Sequence, residues 1–404
     1  MPQRPRIAAL LIVCVLGLTT ACSSHDNNLW KDNGDNKPKG PQITATVTNP
    51  KANATNVPAS VEIEYATANA NSATFELKDT AGKVVEGQVR PGTTTWVPAT
   101  TLEYGTSYTT TVTATGAEGK TATTTSSFTT MAKPSNTVRV SSNIGDDNVV
   151  GVGMPMVLRF SRAVPDDLRD DVERRLWVST TPAQVGSWHW YSDTELHYRP
   201  QKFWQAGTKL NFRIGTGGLA LGGGFYGRAD ITVVASVGEA VVLTVDNATK
   251  QMTVTKNGKV IKMIPVSLGR PGMPSSSGTT VIMEKLRNTI FDTHLDPNPA
   301  NRYITPVEYA QRLTWGGEFI HAAPWSEDKQ GHVNVSHGCV NVSMVNAAWL
   351  FSQTLVGTPV TIKGTERALQ QGNGWTDWSL SWEEYQKGSA LPAAPPTVTP
   401  TPTG

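Results

Sequence analysis

Apolar residues recur with a period of two along most of this chain, and that rhythm admits few folds. Ile43, Ala45 and Val47 form one such run; Val61, Ile63 and Tyr65 alternate with Glu62 and Glu64; Phe75 and Leu77 follow, then Tyr108, Thr110, Val112 and Ala114. Successive side chains on an extended backbone point to opposite faces, so each run reads as a half-buried strand. Turn signals fall between the runs at Asp79–Gly82, Arg90–Gly92 and Thr115–Gly119, and threonine, a good strand former, is abundant. An all-β sandwich over residues 42–132 is expected.

The rhythm resumes after "AKPSN" around Pro134. "LEYGTSYTTTV" at Leu102 has a counterpart in "WQAGTKLNFRI" at Trp204, which suggests a duplicated sandwich over residues 133–236. One helix is expected there, Pro165 to Arg175, with proline in its first turn, acids early, basic residues late, and Val164, Leu168 and Val172 on one face. His189 and His197 lie among aromatics on a strand and read as packed or surface residues rather than metal ligands. Both modules resemble bacterial immunoglobulin-like domains. A third, mostly β unit spans 237–364. It has a hairpin turned at Asn257-Gly258, strands at "GTTVIME" and "GEFIHA", and a helix N-capped by Ser343 that runs to about Leu355 and buries Val345, Ala348 and Trp349. Trp375, Trp378 and Trp382 recur at helical spacing in 365–387, read as a C-terminal brace between the catalytic unit and the second sandwich, with stacking on sugars the lesser reading, and 388–404 is a Pro/Thr-rich tail.

With 404 residues the chain is long enough for several cores. Its balance of 35 basic and 33 acidic residues leaves no electrostatic footprint for nucleic acid. Arg4 and Arg6 precede the apolar run Ile7–Leu18, which has the length of a signal-peptide core rather than of a membrane span. Small residues before Cys22 resemble a bacterial lipoprotein cleavage box. Residues 1–22 are therefore expected to direct export, Cys22 to carry lipid, and the polar stretch 23–41 to tether the protein to the outer face of the cell membrane, facing the wall. Cys14 then leaves with the signal, so Cys339 has no intramolecular disulfide partner.

Cys339 stands in "SHGC", just ahead of the Ser343 helix. A helix N-terminus and a nearby imidazole both favour the thiolate, and Gly338 lets backbone N–H groups approach a carbonyl oxygen. A nucleophile is the expected reading. His321 and His337 are both candidates for the base, and the residues alone leave that choice open. An inert buried thiol is the commonplace alternative. A zinc site built from His321, His332, His337 and Cys339 is a remote one, since the spacing lacks a helical His pair.

His321, fourteen intervening residues, and then Ser336-His337-Gly338-Cys339-Val340-Asn341 resemble the signature of the L,D-transpeptidases, the YkuD-like enzymes that cross-link peptidoglycan. "GRPGMPSS" and "HAAPWSEDKQGH" extend the likeness, and two preceding immunoglobulin-like domains match the mycobacterial lipoprotein members. The resemblance implies that Cys339 is the nucleophile and His321 the base. His337, Gly338 and Cys339 would offer amides to the oxyanion. Around the substrate it sets Tyr303 and Phe291 in a lid, with Ser336, Asn341 fixing the local turn, and Ala322, whose carbonyl would orient His321. It further implies acyl transfer without metal or organic cofactor. A tetrapeptide stem would be the donor, losing D-alanine, and a diamino-acid amine of a second stem the acceptor, giving a 3→3 cross-link. Acylation by carbapenems is also implied. An L,D-carboxypeptidase using water as acceptor is the alternative, and a non-catalytic wall-binding lipoprotein a remote one.

Overall fold

The computed structural model describes residues 42–392 apart from Pro91 and Asp296. The expected signal segment 1–22 with its expected lipidation at Cys22, the expected tether 23–41 and the tail beyond Pro392 lie outside the described residues.

The first alternating runs close into a sandwich. One sheet orders Thr44–Asn49, Ile63–Ala68, Thr95–Pro98 and Gly87–Val89; the other orders Ala54–Val57, Thr121–Thr130, Ser107–Thr115 and Ser72–Asp79. Tyr108, Thr110, Val112 and Ala114 all point inward, as their period requires. Phe75 stacks on Trp96 at 4.6 Å between ring centroids and joins the sheets.

A second sandwich follows. Its sheets order Val140–Ser142, Met156–Phe160, Glu195–Pro200, Gly186–Trp190 and Val149–Val150, Ile231–Val237, Lys209–Ile214, Leu176–Thr181. The Gly-Thr repeat marks equivalent corners: Gly105 at φ 63° and Gly207 at φ 78° each turn the chain in the left-handed region before a strand. The expected helix at 165–175 is shorter and broken, a 3₁₀ turn Asp166–Leu168 followed by Arg169–Glu173, with Pro165 outside it in extended geometry. Leu168, at φ −113° and ψ −5°, breaks the helical pitch, and Val164 and Val172 are still buried.

The third unit packs two sheets and one main helix. A six-stranded sheet orders Lys259–Pro265, Gln251–Lys256, Val241–Asp246, Pro359–Lys363, Ser276–Val281 and Arg367–Ala368; a four-stranded one orders Glu284–Asp292, Ile304–Arg312, Phe319–Ala322 and Val340–Val342. Asn257 and Gly258 both have positive φ, as the type I′ turn demands. The helix Met344–Gln353 is capped by Ser343, whose Oγ accepts from Asn346 N at 3.2 Å. Its buried face differs from expectation. Ala347 and Leu350 face the strands, Val345 is 76 % exposed, and Ala348 and Trp349 are half-buried. Ala347 and Leu350 form the fully buried stripe, Met344 and Trp349 pack at its edges, and Lys262 covers the half-buried indole of Trp349 at 4.4 Å. At the other end Lys285 Nζ donates to the Phe351 carbonyl at 2.7 Å and to that of Thr354, a cation on the negative end of the helix.

The three tryptophans do not share one helix. Trp375 and Trp378 precede the helix Trp382–Gln386, and Trp378 Nε1 donates to Gly153 O at 2.7 Å. Arg199 of the second sandwich lies over Trp378, Trp382 and Tyr385. The two strand histidines hold this segment. His189 Nδ1 bonds Tyr385 O at 2.7 Å, and His197, 1 % exposed, lies between Asp377 at 2.9 Å and Glu195 at 2.8 Å. Burial opposes a charged ring there, but the two carboxylates outweigh it and hold His197 up to about 9.

Candidate active site

Strands Phe319–Ala322 and Val340–Val342 run parallel with Ile320 opposite Val340 and His321 opposite Asn341. Cys339 stands one residue before the second strand, so its side chain and that of His321 share a face two residues apart in register. Both line a cavity of about 670 Å³ with Phe291, Tyr303, Trp325 and His337.

His321 is fixed by its own strand. Nδ1 bonds Ala322 O at 2.8 Å, and since a carbonyl only accepts, Nδ1 carries the proton and Nε2 the lone pair. Phe291 meets the imidazole edge to face at 5.0 Å and Trp325 lies 6.0 Å away. Burial depresses the ring to about 4, against the favourable bond to Ala322, so it is neutral at physiological pH.

The chain around Cys339 is a clamped turn. Ser336 Oγ donates to Cys339 O at 2.7 Å and accepts from Gly338 N at 3.1 Å, while Ser275 Oγ donates to Gly338 O at 2.7 Å. Arg270 N donates to Ser336 O at 3.0 Å, so the "GRPGMPSS" loop cradles the turn. Gly338 has φ +121°, a conformation side chains resist. Two expectations are corrected here. The Gly338 amide is held by Ser336 rather than presented to substrate. Asn341 makes no bond within the Ser336–Cys339 turn: it is paired with Ser267, donates from Nδ2 to Ser326 Oγ of the turn Pro324–Ser326 at 3.2 Å, and leaves Oδ1 without a protein partner.

The thiol also differs from expectation. A strand separates Cys339 from the helix at Met344, so the helix N-terminus does not act on it. Sγ is 7 % exposed beside Val307, Ala310 and Phe319 and donates to Gly317 O at 3.7 Å. Burial pushes it up to about 12, eased by the Phe319 amide and aggravated by the charge of Glu318. Cysteine and histidine therefore rest as a neutral pair. Such a site suits general-base chemistry, in which the proton moves as the carbonyl is attacked.

The lid is the hairpin Glu284–Asp292 and Ile304–Arg312. Phe291 packs on Phe319 at 4.7 Å, Tyr303 lies 5.1 Å from the His337 ring, and Arg270 donates to Asn301 Oδ1 at 3.0 Å across the lid's base. Trp325, 57 % exposed, forms the opposite wall and has no role in the sequence reading, although an apolar ring in a polar loop beside the histidine is a visible signal. Glu318 and Arg367, paired behind the turn, left less trace. Among the described residues no three His, Cys, Asp or Glu side chains are grouped to hold a metal ion.

Comparison with known proteins places this geometry. Residues 54–220 match the bacterial Ig domain, and residues 240–362 match the L,D-transpeptidase catalytic domain. L,D-transpeptidase 2 of Mycobacterium tuberculosis (strain CDC 1551 / Oshkosh) is 32 % identical over 354 residues, 87 % of this chain and 85 % of its own. L,D-transpeptidase 5 of Mycobacterium tuberculosis (strain ATCC 25618 / H37Rv) is 32 % identical over 334 residues, 80 % of this chain and 72 % of its own. A solved L,D-transpeptidase, LdtMt1 in complex with imipenem, is 32 % identical with a TM-score of 0.49, over 57 % of this chain and 100 % of that one. With likeness of this extent running through the immunoglobulin-like modules as well as the catalytic unit, the chain belongs to the L,D-transpeptidase family of acyltransferases.

Proposed function

We propose that this protein forms 3→3 cross-links in peptidoglycan through a thioester on Cys339. His321 Nε2 takes the Sγ proton as sulfur attacks the carbonyl of the third residue of a tetrapeptide stem. The tetrahedral intermediate, its oxyanion held by the amides of His337 and Cys339, expels terminal D-alanine, whose amine nitrogen receives the proton from the imidazolium. The side-chain amine of a second stem then loses a proton to His321 and attacks the thioester. The C–S bond breaks and sulfur recovers the proton. No metal or organic cofactor takes part. Export and a lipid anchor at Cys22 would place the cavity on the wall side of the membrane, where both stems are found.

The observation that carries this reading is the ring tautomer. The 2.8 Å bond from His321 Nδ1 to Ala322 O leaves the basic nitrogen for the cavity that Cys339 also lines. A thioester suits the task because it survives long enough for an amine to compete with water, provided the lid excludes bulk solvent. A carbapenem carbonyl would enter the same cavity and be trapped as an adduct.

Intact-mass measurement tests it. A carbapenem should add to the wild-type protein and not to Cys339→Ala, and tetrapeptide stems with an amine acceptor should yield dimer. Hydrolysis alone in the presence of acceptor would assign an L,D-carboxypeptidase instead. Adduct formation and turnover in Cys339→Ala would end the cysteine mechanism.

A further inference from the structure

Arg367 lies beyond the matched catalytic segment 240–362, yet it reaches back to the turn that holds the thiol. Its short strand, Arg367–Ala368, pairs with Ser276–Ser277 at the edge of the six-stranded sheet, and its guanidinium donates to Glu318 Oε1. Glu318 is 7 % exposed, and the same carboxylate takes Ser276 Oγ at 2.8 Å and Ser276 N at 3.3 Å. Gly338 sits on this pair: a Cβ there would stand 3.6 Å from both Arg367 Nη2 and Glu318 Cγ. Asn373, also beyond the matched segment, acts on the neighbouring turn. Its Oδ1 accepts from Gly316 N at 2.8 Å, and the next carbonyl, Gly317 O, is the acceptor of the thiol.

The titratable groups facing Cys339 are Glu318 from beneath and His321, Tyr303, His337 and Lys329 from the cavity, with Arg270 acting on Tyr303. Glu318 alone among them is an anion whose charge opposes a thiolate. A carboxylate in a poorly solvated site exerts that effect fully only when nothing neutralises it.

We propose that Arg367 is a positioning residue for the nucleophile: by neutralising Glu318 beneath the Ser336–Cys339 turn it keeps the thiolate within reach and holds the turn in place. The proposal deepens the cysteine mechanism above and rests on it. The guanidinium is about half exposed, so solvent takes over part of its work when it is removed.

Alkylation of Cys339 by iodoacetamide across a pH series, followed on the full chain by intact mass, reads the thiolate without requiring turnover. Arg367→Ala should slow alkylation about tenfold at every pH of the series around neutrality. Arg367→Lys should stay near wild type, and adding Glu318→Gln to Arg367→Ala should return the rate. A purely structural arginine would alter the melting temperature and leave the alkylation rate of the folded protein in place. A rate unchanged in Arg367→Ala, or unrestored by Glu318→Gln, overturns the proposal. Should Arg367→Ala not fold, Glu318→Gln alone decides: its alkylation must be faster than wild type, and an unchanged rate overturns the proposal. Transpeptidation surviving in Cys339→Ala would instead remove the mechanism beneath it, a result distinct from any alkylation profile.

Discussion

His321 and Ala322 are joined ring to carbonyl, Nδ1 to O, at 2.8 Å, which fixes the tautomer before any substrate arrives. His321→Gln should keep the fold and lower the rate of acylation by carbapenem at least ~100-fold, the usual worth of a positioned base. Stopped-flow acylation of the folded variant measures it. Because burial depresses the ring to about 4, the acid limb of the wild-type acylation profile should fall near that value rather than near 6.5. Stability follows the same sign: the unfolded ring takes up a proton first, so stability is lost as pH falls from 6.5 toward 4, by roughly 3 kcal/mol in total. Chemical denaturation at stepped pH should show this loss in wild type and not in His321→Gln.

Phe291 covers both His321 and Phe319. Phe291→Ala should open the cavity to water where the proposed thioester would form. The ratio of hydrolysed to cross-linked product should rise several-fold while acylation itself changes less, which product analysis with a fixed acceptor concentration would reveal.

Ser336 Oγ makes two bonds within the turn that carries Cys339, to Cys339 O and from Gly338 N. Ser336→Ala leaves both groups without that partner, at a cost of about 1–3 kcal/mol. The acylation rate should fall about 10- to 100-fold, with a smaller change in carbapenem affinity before acylation. Equal rates in mutant and wild type would mean that the turn holds without the hydroxyl.

His197 is a charged pin between Glu195 and Asp377, with a folded value of about 9 against an ordinary 6.5. A raised value means that the folded state binds the proton more tightly. Its stabilisation is therefore complete below 6.5 and lost as pH rises through 9. Wild type should lose roughly 3 kcal/mol over that window relative to His197→Gln, with the C-terminal segment releasing first. Hydrogen exchange at Tyr385 and Gly388 as a function of pH locates the release.

Where a local rule decides the outcome, the sequence was legible. Period-two runs such as Tyr108–Ala114 became strands with the expected faces, Asn257-Gly258 made its turn, and Ser343 capped its helix. His321 and Cys339 were recognisable from residue types and spacing, and the choice between His321 and His337 came from family resemblance. What failed depended on tertiary placement. A strand of three residues between Cys339 and the helix removes the dipole from the thiol, and no propensity announces so short an element. The buried face of Met344–Gln353 was misread at Val345, which is apolar yet 76 % exposed, while Trp349 packs on the core only at its edge. Arg367 and Glu318 lie 49 residues apart in sequence and are brought together by strand order alone.

Gly151 and Gly153 of the second sandwich donate from their amides to Val356 O at 2.7 Å and Gly357 O at 2.9 Å, leaving no room for a Cβ at either position. The bonds of this seam run between peptide groups, which, unlike side chains, cannot change rotamer and let it slip. The cavity of Cys339 and His321 is thus firmly shouldered: turning its mouth in another direction means swinging the adjoining sandwich as well, so reach and aim are one mechanical variable.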